Sequence, residues 1–311
     1  QLPLHERELI SRLEPASSLP ADLLMTRTAV FHSYLVSEKE LITLQTYFKR
    51  SGIDAVAYFE LDLLTAGRDV AQAMALYLLS REISNIILVQ KDGAIYTVWV
   101  TPFNGKANFA GQGQSAWTSS NRLLEEILKP LYRTAAGQLE KTNFLINDFP
   151  EAGLSINPIQ GRRSEFFAVD LKVDPLAVPK FNDEAMDKEL ELIMKMYPYE
   201  YTLTDPTLSE AELRKQGLYY VLRFVNARAQ VAKRLMGYPV SHSSSAIVSI
   251  TYPGSEPQVK NIPINQEVYK FYFKHIDSGN TFLGTKWDAD ETWQQALINQ
   301  LKAYRAEFKI N

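Results

Sequence analysis

The segment Gly279-Asn280-Thr281-Phe282-Leu283-Gly284-Thr285-Lys286 holds two glycines at the spacing of a Walker A loop, G-x-x-x-x-G-K-S/T, with its last two residues exchanged. In such a loop backbone N–H groups cradle phosphates, the lysine reaches the terminal phosphates and the next hydroxyl holds Mg²⁺. The exchange moves both groups by one residue. A helix N-terminus should follow at once, whereas here Trp287-Asp288-Ala289-Asp290 intervenes, and its two carboxylates would repel an anion. On a phosphate-handling reading Asn280, Thr285 and Lys286 would touch the ligand. On a structural reading the glycines permit a strand-to-helix turn with Phe282 plugging the core. The stretch Gly105 to Gly111 with Phe109 offers the same pair of readings, with Asn104, Lys106 and Gln112 as its polar candidates. Buried phenylalanines and no shared polar pocket are the expectation.

A second candidate is Asp62-Leu63-Leu64-Thr65-Ala66-Gly67-Arg68-Asp69, between an apolar strand-like run and a helix-like one. Open α/β sheets place ligands at such strand ends. Asp62 and Arg68 are the residues able to contact one, with Arg68 suited to an anion. The plainer role for Asp69 is a helix N-cap.

Other chemistries find no support in the residues. There is no cysteine, which excludes disulfides, thiolate catalysis and Cys-based metal sites in this chain. His5, His32, His242 and His275 are never three or four residues apart, so no metal site is expected. G-x-S-x-G, H-E-x-x-H and a G-x-G-x-x-G opening a helix are absent. Asp288/Asp290 and Glu125/Glu126 suit helix starts and solvated faces, and Arg162-Arg163 suits a boundary loop. No cofactor is expected.

The elements that must position these residues repeat. Tyr96, Phe109, Gly111, Leu124, Leu128 and Lys129 each have an identical residue 173 positions later, from Tyr269 to Lys302. Upstream, Lys39-Glu40-Leu41 matches Lys188-Glu189-Leu190, Tyr58 and Asp62 match Tyr201 and Asp205, and Ser84-Asn85-Ile86-Ile87 lies on Ser245-Ala246-Ile247-Val248. An internal duplication is expected, with insertions in the second copy between Asp205 and Ser245.

Periodicity predicts, in the first copy, a strand over Arg27–Tyr34, a helix opened by the Ser37/Glu40 capping box and ended by Gly52, a buried strand over Asp54–Leu61 and a helix over Asp69–Arg81. Strands over Asn85–Gln90 and Ile95–Thr101 follow, joined by Asp92-Gly93. A helix over Ser120–Tyr132 and a strand over Asn143–Asn147 complete the copy. The second should carry a strand over Phe166–Val173, a helix over Asp183–Met196, a strand over Glu200–Thr204, a helix over Ser209–Lys215 and an inserted strand over Tyr219–Val225. Strands over Ala246–Thr251 and Val268–Ile276 and a helix over Thr292–Phe308 end the chain. The expected fold is two tandem, duplicated α/β domains, each a mixed, mostly parallel sheet flanked by helices with an antiparallel hairpin. Residues 1–25 form a lead-in, 26–155 the first domain and 160–311 the second, with the boundary in the Pro/Gly cluster between 150 and 165.

A chain of 311 residues suits two such domains. Its 46% apolar and 22% charged residues describe an ordinary globular protein, and a formal charge of −3 without a basic stripe argues against nucleic acid. No run reaches the ~18 apolar residues of a membrane span. The first residue is Gln, which with the missing cysteines favours a periplasmic or otherwise exported protein. The expectation is a non-catalytic binding or interaction protein for an unknown protein or small-molecule ligand; the alternative is a phosphate-handling, nucleoside triphosphatase-like enzyme using Gly279 to Lys286.

Overall fold

The computed structural model describes residues 4–143, 145–153, 156–240 and 244–310. The chain forms two compact units, one comprising residues up to Ala66 with Val70–Ile156, the other Gly67–Asp69 with Asn157 onward.

In the first unit α1 (Leu4–Ile10) and β1 (Leu13–Ala16) precede β2 (Arg27–His32), α2 (Glu38–Ser51) and β3 (Asp54–Glu60). Then come the short α3 (Asp62–Thr65), α4 (Arg68–Ser80), β4 (Ile83–Asp92), β5 (Ile95–Pro102), β6 (Gln114–Asn121), α5 (Leu124–Gln138) and β7 (Glu151–Ala152). Helix α2 starts where Ser37 and Glu40 cap each other's backbone N–H and stops at Gly52, whose φ of 88° a side chain would strain. The sheet runs β1-β6-β5-β4-β2-β3-β7. Alternate residues of each central strand face opposite layers: Val30, Ile87 and Val89 meet Leu44, Phe48, Ile127 and Leu128 of α2 and α5. Ala29, Phe31, Ile86 and Leu88 meet Leu9, Leu64, Met74 and Leu78 on the other side.

The second unit contains β8 (Arg163–Ser164), a 3₁₀ turn (Val169–Lys172), β9 (Leu176–Pro179), α6 (Glu184–Met194), β10 (Tyr201–Thr204) and α7 (Glu210–Lys215). It continues with β11 (Tyr220–Arg228), α8 (Ala229–Leu235), β12 (Ala246–Thr251), β13 (Gln258–Pro263), β14 (Glu267–His275), β15 (Thr281–Phe282) and α9 (Trp293–Glu307). Its main sheet runs β10-β9-β11-β14-β15-β8, while β12 and β13 form a separate hairpin. Helices α6 and α9 cover one face through Leu190, Met194, Leu297, Leu301 and Tyr304. Leu213 of α7 packs on Ala177 and Val221 from the other.

Both sheets are mixed and flanked by helices, as expected of two α/β domains, and the Asp92-Gly93 hairpin forms with Gly93 at φ 57°. Read from the opposite end, the second sheet is β8-β15-β14-β11-β9-β10. That is the strand order of β1-β6-β5-β4-β2-β3, with every neighbouring pair parallel or antiparallel in the same places.

This topology corrects several expectations. The strand predicted as an insertion, Tyr219–Val225, is the central β11 and occupies the place of β4; Ala246–Thr251 belongs to the extra hairpin instead. The segment without a place in the shared strand order, the β12–β13 hairpin, lies between β11 and β14. Phe166–Val173 is not a strand: Phe166, Val169 and Val173 are exposed, and the short buried run Leu176–Pro179 enters the sheet. Ser120 lies within β6 rather than starting a helix, because Ala116 and Trp117 are buried in the core while α5 begins only at Leu124. Of Asn143–Asn147, Phe144 lies outside the described residues. The rest is loop, with Asn143 Nδ2 donating to Thr26 O and Asn147 N to Asp54 Oδ1.

The 173-residue spacing also does not persist. Val100, four residues after Tyr96, pairs with Trp117, and Phe273, four after Tyr269, pairs with Phe282. Helices α5 and α9 are both 15 residues long, and Leu124, Ile127, Leu128, Leu131 and Ala135 occupy the same helical places as the buried Trp293, Ala296, Leu297, Gln300 and Tyr304. The counterpart of Phe282 is thus Trp117, not Phe109, and Gly284 does not correspond to Gly111.

Candidate functional site

Strand β14 reads Glu-Val-Tyr-Lys-Phe-Tyr-Phe-Lys-His, and its two lysines are both buried. Lys270 donates to Leu283 O and Gln300 Oε1, each at 2.7 Å, and forms an ion pair with Asp288 Oδ1 at 2.5 Å. Loss of solvent pushes Lys270 below the usual lysine range and Asp288 above the usual carboxylate range, while their mutual attraction opposes both shifts. Both carboxylate oxygens of Asp288 are buried, and neither accepts a hydrogen bond among the described residues.

The loop carrying Asp288 is fixed by side chains rather than by a helix start. Asp290 accepts from Lys260 Nζ and Thr251 Oγ1, each at 2.8 Å. Burial alone would raise its pKa, but these hydrogen bonds outweigh burial and hold it low. Asn299 of α9 donates to Asp288 O at 3.0 Å and accepts from Tyr252 N at 2.8 Å, joining the loop to the β12–β13 hairpin. The backbones of Asp290 and Tyr269 bond to each other in both directions.

Beside this network is a cavity of about 240 Å³. Ile250, Ala303 and Ala306 form its apolar wall, and Tyr252, Thr285, Lys286, Asp288 and Glu307 supply its polar groups. Thr285 and Lys286 are exposed, whereas Asp288 is 2% exposed. Glu307 is anchored by accepting from Phe167 N at 2.8 Å. Such a site can hold a small ligand by hydrogen bonds and charge, with an apolar surface for the rest of it.

Of the residues expected from sequence, Thr285 and Lys286 meet at this cavity; the others lie elsewhere. Asn280 Oδ1 accepts from Arg162 N, which holds the turn before β15. Within that turn the N–H groups of Thr281 and Leu283 bond to Arg162 O and Ser164 O. Between the two glycines Thr281 and Phe282 form β15, and the N–H groups of Asn280, Thr281 and Leu283 are already used. Helix α9 begins at Trp293 behind the Thr292 cap, well past Lys286.

Asn104 holds its own turn, bonding Asn108 and Lys106 N, and Lys106 is exposed. Phe109 is 2% exposed, at φ 59°, whereas Phe282 is only partly buried. Asp62 opens α3. Arg68 donates to Pro206 O at 2.7 Å. Its neighbour Asp69, rather than serving as a simple cap, accepts from Tyr272 OH at 2.8 Å and from Lys274 at 3.3 Å inside the second unit.

Lys270, Asn299 and Gln300 were not singled out from sequence, and Asp288 and Asp290, expected at a helix start or solvated face, are buried instead. The signal for the first three was present: a lysine inside the apolar run Val-Tyr-Lys-Phe-Tyr-Phe, and an Asn-Gln pair on the face of a helix that otherwise carries Leu297 and Leu301. Amphipathic scoring treats such residues as interruptions.

Compared with known families the sequence matches no family model, and it has no significant match to a curated protein.

Proposed function

We propose that this is a non-catalytic binding protein built from two related α/β domains, in which the second unit holds a small polar ligand in the cavity beside Asp288. The observation that carries this reading is the Lys270–Asp288 ion pair, sealed from solvent at the edge of an open cavity with neither carboxylate oxygen in a hydrogen bond. Buried ion pairs are often no more stable than apolar packing of the same volume, so a pair of this kind calls for a reason other than stability.

The shared strand order supports common descent of the two units and supplies a control. Taking Tyr96 with Tyr269 and α5 with α9, the first unit has Thr97 in the place of Lys270, Pro130 in that of Asn299 and Leu131 in that of Gln300. The same architecture is built there without the polar cluster. The cluster therefore belongs to what the second unit does rather than to the fold. The absence of cysteine suits an oxidising compartment, and we include export in the proposal; cell fractionation of the native gene product tests it.

The binding reading is tested by thermal shift with small polar compounds of each charge type, Mg²⁺-ATP among them. A ligand at a hundred times its Kd stabilises by about 2.7 kcal/mol, an effect that Lys286→Met should reduce. Stabilisation by Mg²⁺-ATP alone would favour the phosphate-handling alternative, and no stabilisation by any class would remove the binding reading.

A further inference from the structure

We propose that the cavity takes a small zwitterion of about amino-acid size, its ammonium toward Glu307 and its carboxylate toward Thr285 and Lys286; this rests on the second unit being a binding module. Size is the first constraint. At about 240 Å³ the cavity falls below the ~300–1,000 Å³ of sites for drug-sized ligands.

Charge is the second. Lys270 and Asp288 sum to zero whether written as an ion pair or, after proton transfer from Lys270 to Asp288, as two neutral groups. Glu307 then leaves one surplus negative charge in the lining. Lys286 supplies one positive charge beside the Thr285 hydroxyl, and no ion pair holds it among the described residues. The lining thus carries one charge of each sign.

Separation is the third. Lys286 and Glu307 line the same cavity of about 240 Å³, so the two charges face one small volume. Opposite charges so close suit a compact zwitterion better than a long one. Ile250, Ala303 and Ala306 provide a narrow apolar wall for its side chain.

The test is titration calorimetry of the full chain with free L-amino acids, their N-acetyl derivatives, their amides, simple monoamines and monocarboxylates, and neutral sugars. At least one free amino acid should bind. N-acetylation or amidation should each weaken binding about tenfold, the effect of losing one charge-assisted contact. Lys286→Met should weaken the free acid but not its amide, and Glu307→Gln the free amine but not its N-acetyl form. Both variants change partly or fully exposed side chains, and Gln keeps an acceptor for Phe167 N, so folding is retained. Derivatives that bind as well as the parent, or variants that change nothing, overturn the zwitterion. If a sugar or a singly charged compound binds instead and Lys286→Met weakens it, the zwitterion is wrong while the binding site stands; if nothing in the panel binds, both readings fall.

Discussion

Lys270 Nζ and Asp288 Oδ1 lie 2.5 Å apart, and the two side chains are 0% and 2% exposed. Neither residue can be altered alone without leaving the other buried and uncompensated. Removing one partner of such a pair typically destabilises by about 3–5 kcal/mol, whereas replacing both by apolar residues is often neutral. Lys270→Met should therefore lower the stability of the second unit by about that amount, and Lys270→Met with Asp288→Leu should regain most of it. Denaturant unfolding followed through Trp287 and Trp293 measures both. Additive losses in the double variant would show that the pair does not act as one unit.

In the first unit, burial alone would raise the pKa of Glu40. Hydrogen bonds from Lys91 Nζ, Tyr96 OH and the Ser37 N–H and hydroxyl outweigh it and bring the pKa down to about 2. A carboxylate depressed in the folded state contributes stability above its unfolded value of 4.5 and loses it as pH falls toward about 2. Between pH 5 and 2 the parent should lose about 2 kcal/mol more than Glu40→Gln, allowing for solvent screening of this partly exposed group. Parallel acid-unfolding curves would refute this.

Gly284 sits at φ 86°, and a Cβ there would stand 3.0 Å from Cζ of the buried Phe167 ring. Gly284→Ala should destabilise the second unit by about 1–3 kcal/mol through left-handed strain and displacement of Phe167. Because Thr285 and Lys286 follow directly, ligand affinity should fall as well. An unchanged melting temperature would contradict both effects.

With the second unit superposed on the first over the common strand order, Phe282 should fall on Trp117 and Trp293 on Leu124, and a crystal structure of the chain measures this. Coincidence of Gly284 with Gly111 would instead restore the uniform 173-residue spacing.

Local pattern sufficed for what depends on neighbours along the chain. The Ser37/Glu40 box, the Gly52 stop, the buried run of β3, the Asp92-Gly93 turn and the alternation of helices with strands are set by backbone propensity and short-range periodicity, so they were legible in the sequence. Strand neighbours were not, because hydrogen bonding across a sheet leaves no mark on the spacing within a strand. The central β11 read as an insertion, the polar β6 read as a turn and helix start, and one run of identities concealed three registers. The site was divided in the same way. Thr285 and Lys286 could be named from a motif, but Lys270, Asp288 and Glu307 come from a strand, a loop and a helix end, and only the packing of α9 on that strand and of the β12–β13 hairpin on α9 brings them together. Whether a buried lysine is an error in an apolar pattern or half of an ion pair depends on which carboxylate the tertiary fold delivers to it.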